Sequence, residues 1–189
     1  MKNILSKITV VSVLSASVML TSMQVAAQKT IRFGHDNKAD VMENPAHAFA
    51  GVFKNIVESA SNGEIKVEIY PSNQLGSAKE HVQQVKDGII QATLTSTGAL
   101  SSYYPRIGVL DLAFAFDHNA ATYDVFDGKF GATLAQDINK SVEGVKVLGF
   151  PDTGGFFSIT NSVRAINTLE DFKGIRIRTM TLPSHQKSI

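Results

Sequence analysis

Apolar and polar positions along the chain switch between two periods, and the switches mark out the elements. Thr30-Ile-Arg-Phe-Gly-His35 alternates and predicts a short strand. From Pro45 to about Ala60, Phe49, Val52, Phe53, Ile56 and Val57 recur at helical spacing. They predict a helix with Asn44 as N-cap, Pro45 in its first position and those five residues as its buried stripe. Ser61-Asn62-Gly63 ends it. Ile65, Val67 and Ile69 alternate with charged residues, as in a strand with one wet face. Pro71-Ser72-Asn73 breaks that strand, and a second helix follows from about Ala78 to Lys86, closed by Asp87-Gly88. Ile89 to Thr95 reads as a more buried strand. Strand, helix, strand, helix, strand in this order predicts a mainly parallel sheet covered by helices.

Later segments are less regular. Val109 to Phe116 is apolar and fits either a strand or irregular core. Asn119 to Ile138 predicts one or two helices, interrupted near Gly128 and Gly131. Val145 to Phe150 reads as a strand, Pro151 to Gly155 as a loop or crossing, and Phe156 to Thr160 as a strand again. Leu169 to Gly174 is a short helical turn, and Ile175 to Thr179 a strand with Arg176 and Arg178 on one face. Residues 28–150 thus form one α/β lobe, and 151–189 the start of a second, incomplete one. Pro183-Ser184 before His185-Gln186-Lys187 reads as a helix just opening, so the chain is expected to be part of a longer one.

The N-terminus changes the compartment. Lys2 and Lys7 precede an apolar, serine-containing run from Ile8 to Leu20, and Val25-Ala26-Ala27 supplies small residues for cleavage. Residues 1–27 therefore read as a secretory signal peptide. The run is too short and serine-rich to span a bilayer comfortably. The expected location is the periplasm or the cell exterior. The chain has no cysteine, which excludes disulfides, thiol chemistry and an acylated lipoprotein anchor. A formal net charge of +1, with two lysines in the leader, gives no footprint for nucleic acid.

Enzyme signatures are missing: there is no phosphate loop, no paired-histidine metal motif and no serine elbow. The five histidines are scattered in sequence. What remains are polar groups beyond the carboxyl ends of predicted parallel strands, where α/β sheets bind ligands. Gly34-His35-Asp36 and Ser96-Thr97-Gly98 lie at two such ends. His35 offers a hydrogen bond to a ligand, or is a plain loop histidine. Ser96 and Thr97 offer hydroxyls, or cap a helix. An arginine on the 175–179 strand suits a paired grip on a carboxylate, or faces solvent at a sheet edge.

Two separated segments carry a family likeness. Ile69-Tyr-Pro-Ser-Asn-Gln-Leu-Gly76 with Glu80, and Asn161-Ser-Val-Arg-Ala-Ile166 followed by Leu169 to Arg178, resemble the early and central signatures of DctP-type binding proteins of tripartite (TRAP) transporters. Ile31 to His35 and Val85-Lys-Asp-Gly88 fit the same pattern, and the likeness covers residues 30–183. The resemblance implies a periplasmic-binding-protein-like α/β fold of two lobes, the second apparently truncated. It also implies closure on an organic acid and delivery to a permease of one small and one large membrane subunit.

By that likeness Arg178 matches the arginine that pairs with the ligand carboxylate. Asp36 and Ser96 fall at ligand-contacting positions of some relatives. Phe157 stands where many members carry a second ligand-facing arginine, which argues for a monocarboxylate or a partly apolar acid over a strongly polar di-anion. No cofactor is implied. A divalent ion accompanies the ligand in some members, and the sequence leaves that open here. Two rival functions remain at this stage: a secreted hydrolase using Ser96 with His35, and a sensory binding protein without a permease.

Overall fold

The computed structural model describes residues 28–112, 115–152, 155–156 and 158–178. Its centre is β1 (Lys29–His35), which pairs in parallel with β2 (Ile65–Tyr70) on one side and β3 (Ala92–Leu94) on the other. The register sets Ile31 beside Val67 and Gly34 between Tyr70 and Thr93. Helix α1 (Pro45–Ala60) connects β1 to β2, and α2 (Ala78–Lys86) connects β2 to β3.

Alternation in β1 assigns its two faces. Phe33 and His35 turn toward α1, where Phe33 meets Phe53 at 5.3 Å between ring centroids and His35 meets His47. Gly34 turns the other way, against His81 of α2. Phe33, Ala50 and Val67 form the sealed core of this layer, with Ile31, Phe53, Val57 and Ile69 packed around it. Only part of the expected α1 stripe is buried. Phe53 and Val57 join the core, but Phe49, Val52 and Ile56 are exposed, because Ala46 and Ala50 provide the close contact line.

The outer edge of β2 is satisfied by α1. Glu58 Oε1 accepts the Val67 amide at 2.8 Å, and Lys54 Nζ donates to the Val67 carbonyl at 2.8 Å. These two side chains, themselves 3.2 Å apart, occupy groups that would otherwise template another strand.

β3 is shorter than the expected 89–95 strand. Residues 88–91 turn instead, with Gly88 at φ +71°. Gln91 replaces the ladder there: its amide donates to Arg32 O, and its side-chain oxygen accepts from Arg32 N at 3.0 Å.

Beyond β3 come a one-turn helix, α3 (Thr97–Leu100), and a 3-10 helix at Pro105–Asp111. The apolar stretch from Val109 therefore begins in a 3-10 turn and not in a strand. Residues 113 and 114 lie outside the described residues. Two helices follow, α4 (Asn119–Phe126) and α5 (Lys129–Ser141), broken at Gly128. Gly131 does not interrupt α5. It lets the Phe126 carbonyl approach so closely that a Cβ would sit 1.9 Å away. A second core of Tyr104, Ile107, Ile138 and Val142 holds α5 to the 3-10 helix.

Three expected strands do not form among the described residues. Val145 to Phe150 is pinned to α5 instead of pairing: Val147 N donates to Asn139 Oδ1 at 2.7 Å, and Phe150 stacks on Phe126. Residues 158–160 and 175–178 have no neighbouring ladder either, and Thr179 lies outside the described residues. Extended segments without a backbone partner are not strands, whatever their alternation. The helical turn at 169 does form, as a 3-10 helix at Leu169–Phe172.

Candidate functional site

The connectivity makes a switch point. From β1 the chain crosses to β2 on one side, then returns past β1 to β3 on the other. The carboxyl ends of β1 and β3 thus lie side by side while their following loops diverge. In open parallel sheets this is where a crevice opens. Asp36 and Asn37 leave β1 there, and Thr95, Ser96 and Thr97 leave β3.

His35 ends β1 fully buried, so it is neither a solvent-facing donor nor a plain loop residue. Its Nε2 lies 3.0 Å from His47 Nδ1. Burial is the main influence holding its pKa below the ordinary value, and His47 and His81 add to this while Asp36 opposes it. Asp36 is exposed and accepts from Asn37 Nδ2 at 2.9 Å. Ser96 is the N-cap of α3, its Oγ accepting from Ala99 N at 3.3 Å. That bond uses a lone pair and leaves the hydroxyl proton for another acceptor. Thr97 donates to Asp111 Oδ1 at 2.9 Å. No hydrogen bond joins Ser96 to His35 among the described residues, so the nucleophile–base contact a hydrolase needs is missing between this pair.

The loop from Pro71 to Gly76 folds onto the end of β1. Ser72 N donates to Asn37 O at 2.8 Å, and Asn73 N to His35 O at 3.4 Å. Ser72, Asn73 and Gly76 all have positive φ, 53°, 60° and 113°. Ser77 and Glu80 then close a capping box on α2, with Ser77 N donating to Glu80 Oε2 at 2.6 Å. The early motif thus builds a left-handed turn and a helix start beside the crevice.

The central motif is also a local scaffold. Asn161 Oδ1 accepts from Val163 N and Arg164 N, at 2.9 and 3.0 Å. Arg164 in turn donates through Nε to Asp171 O at 3.0 Å and through Nη2 to Lys173 O. Asp171 caps the 3-10 turn by accepting from Asn167 N and Thr168 N. This staple leads into Ile175–Arg178, where Ile175 and Ile177 are half-buried and Arg176 and Arg178 exposed. Arg178 makes no hydrogen bond or ion pair with the described residues. Phe157 lies outside them. A shallow depression of about 480 Å³ follows Ile159–Ala165, lined by that single stretch and so bringing no distant groups together.

The placing of His47, His81 and Asn37 beside this end of β1 was not predicted from the sequence, whereas Asn44 takes its expected place as N-cap of α1, accepting from His47 N at 3.2 Å. His81 is fully buried and lies against Gly34, and burial is the main cause of its lowered pKa. The alternation of β1 carried the signal, since it places His35 on the side from which Pro45 starts a helix. Among the described residues, no group of three or more His, Cys, Asp or Glu is arranged to hold a metal ion, and no helix is long and apolar enough to cross a membrane.

The family model for DctP, bacterial extracellular solute-binding protein family 7, matches residues 34–189. The 2,3-diketo-L-gulonate-binding periplasmic protein YiaO of Escherichia coli is 28% identical over 170 residues, covering 89% of this chain and 49% of its own. The C4-dicarboxylate-binding protein DctB of Bacillus subtilis is 33% identical over 141 residues, covering 74% of this chain and 39% of its own. A crystal structure of a TRAP periplasmic solute-binding protein from Bordetella bronchispeptica, with ligand density interpreted as pantoate, superposes with a TM-score of 0.77. It is 29% identical and covers 84% of this chain and 50% of that one. The chain spans about half the length of the curated relatives it matches. Its fold is the α/β fold of two-lobe periplasmic binding proteins, and with a family match that begins at Gly34, inside β1, and takes in both sequence motifs, the chain belongs to the DctP family of TRAP-type solute-binding proteins.

Proposed function

We propose that the protein is an extracytoplasmic solute-binding protein. It captures the carboxylate of a small organic acid in a cleft between two lobes and delivers it to a TRAP permease of one small and one large membrane subunit. Residues 1–27 act as the signal peptide that sends it to the periplasm. Residues 28–150 form the first lobe, and the chain from 151 enters the second. The observation that carries this reading is the switch point, where the ends of β1 and β3 lie adjacent and present Asp36, Ser96 and Thr97.

Arg178 supplies the cation. It is exposed and has no ion pair with the described residues, so its guanidinium is available for a paired grip on a carboxylate. Ser96 directs its spare hydroxyl proton to the same acid. Phe157, in place of a second arginine, favours an acid with one carboxylate and an apolar body. Contacts to both lobes favour the closed form, and closure presents the surface the permease reads. The acids named for the relatives, pantoate, 2,3-diketo-L-gulonate and C4-dicarboxylates, define the first panel to try.

Calorimetric titration of the chain with pantoate, diketogulonate and succinate tests this reading. At least one acid binds the wild type, and Arg178→Ala loses it at a cost of about 2–5 kcal/mol, the range for removing one partner of a buried charge pair. Equal binding by wild type and variant removes Arg178 from the site. No binding by any acid removes the function.

A further inference from the structure

Three of the five histidines, far apart in sequence, flank the carboxyl end of β1, His35 touching His47 on one face and His81 packing against Gly34 on the other. His35 arrives on the strand, His47 on the first turn of α1, and His81 on the first turn of α2. We infer that His35, His47 and His81 form an acid-sensitive latch that keeps the loops at the end of β1 in their binding arrangement only while the buried His35 and His81 rings are neutral. Its functional meaning rests on the binding reading above.

The geometry supplies the argument. A 3.0 Å contact between His35 Nε2 and His47 Nδ1 needs one N–H and one lone pair. Two imidazolium rings would set N–H against N–H, so the pair cannot hold two positive charges and keep that contact. His35 Nδ1 and both ring nitrogens of His81 are sealed from solvent and have no hydrogen-bond partner among the described residues. A proton gained there is a buried charge without compensation. His81 also sits at the start of a helix, where backbone N–H groups disfavour a cation. Gly34 makes the packing this close, since a Cβ there would lie 3.2 Å from the His81 ring.

The charged groups facing the cluster do not reverse this. Asp36 favours protonation of His35 and His81, but it is exposed and bonded to Asn37. Glu80, next to His81, is committed to Ser77. Asp40 faces His47 from the loop, but its Oδ1 already accepts from Met42 N and Glu43 N.

Charging the cluster therefore displaces a ring, and the displacement has a path outward. The His47 amide is held by the Asn44 side chain at 3.2 Å, and Asn44 Nδ2 reaches Asn37 Oδ1 at 3.4 Å. Asn37 O in turn holds Ser72 N. Loss of the His35–His47 contact thus loosens residues 36–44 and 71–76, the loops beside Asp36 and the crevice.

The test follows the histidine ring signals of the chain by nitrogen–proton NMR, alongside thermal unfolding, from pH about 8 to about 5. The ordinary histidine pKa of about 6.5 marks the expected break. Above it Tm is flat. Below it Tm falls with an uptake of about two protons on unfolding, and the folded His35 and His81 rings charge only below that pKa, as the signals of residues 36–44 and 71–76 shift with them. His81→Phe removes about one of those protons. If His81→Phe does not fold, the wild-type ring titration decides alone. Rings of His35 and His81 that titrate near 6.5 with an unchanged Tm overturn the latch.

A second arm measures pantoate affinity at pH about 7.5 and about 5.5, where its carboxylate stays ionised. A loss of about tenfold or more supports the latch acting on the site, and equal affinity overturns that role. Failure of every acid in the panel at pH about 7.5 overturns the binding reading instead, and the ring titration still judges the latch.

Discussion

The carboxylate of Glu80 closes over Gly76, with Oε2 only 2.9 Å from where a Cβ on residue 76 would stand. The two positions belong to one device. Gly76 takes φ +113°, which side-chain-bearing residues rarely adopt, and Glu80 uses the open space to accept from Ser77 N and Oγ. Gly76→Ala is expected to cost about 1–3 kcal/mol through backbone strain and the displaced cap. Ser77→Ala is expected to cost about 1 kcal/mol as a lost N-cap. Urea unfolding of both single variants and the double variant checks this. The double variant should lose less than the sum, because both changes act through the same carboxylate. Full additivity would separate the two residues.

Glycines elsewhere divide by what surrounds them. Gly131 faces the Phe126 carbonyl at a distance no Cβ tolerates, and backbone on both sides leaves little to yield. Gly131→Ala should lose about 3 kcal/mol by overpacking. Gly51, inside α1, has nothing within 4 Å of its Cβ position. Gly51→Ala should gain about 0.5–1 kcal/mol from helix propensity. Thermal melts of the two variants should therefore move in opposite directions. A tolerated Gly131→Ala would mean that the α4–α5 junction opens freely.

Acid should weaken the fold a second time, below the histidine range. Asp171 is held below its ordinary 3.8 chiefly by the Asn167 and Thr168 amides. Glu80 is held below 4.5 by Ser77, and Glu58 below 4.5 by the Val67 amide. Each carboxyl takes up a proton more readily in the unfolded chain than in the folded one. Their contribution is therefore complete above about pH 4.5 and is lost as pH falls through the folded values. Unfolding in urea at pH about 5 and about 3 checks this. Glu58→Gln should flatten the lower limb, and a limb unchanged in that variant would detach Glu58 from the effect.

The first half of the fold was legible because each signal there was local. Asn44-Pro45, Ser61-Asn62-Gly63 and Asp87-Gly88 bound their helices by cap and turn chemistry that needs no tertiary partner. Strand assignment failed where a ladder was required. Ile175 and Ile177 do alternate with Arg176 and Arg178 in burial, yet no neighbouring strand meets them among the described residues. At the site, the parallel arrangement followed from element order, so Ser96 and Asp36 could be placed at strand ends, but the β2-β1-β3 order that makes the switch point came only from the strand pairing. The histidine cluster could not be placed, since residues 35, 47 and 81 converge only once β1 lies between α1 and α2. Ser96 shows the opposite limit: one hydroxyl can cap a helix and still have a proton to offer, so the two sequence readings were never exclusive.

Arg164 and Arg178 stand in one motif but differ in what they touch. Arg164 donates to two carbonyls across the turn, Asp171 O and Lys173 O, and so fixes the path by which the chain reaches 178. Arg178 is exposed and uses none of its donors on the described residues. Arg178→Ala should therefore leave stability within about 0.5 kcal/mol of wild type, while abolishing capture of the acid. Arg164→Lys keeps the charge but loses the planar fork that reaches both carbonyls. It should loosen the 161–173 turn, weakening acid binding less than Arg178→Ala does. Amide exchange at Ile175 and Lys173, measured beside the calorimetric titrations, separates the two roles. Faster exchange in Arg164→Lys and none in Arg178→Ala is the expected pattern. The reverse pattern would assign the staple to Arg178 and leave the carboxylate without its cation.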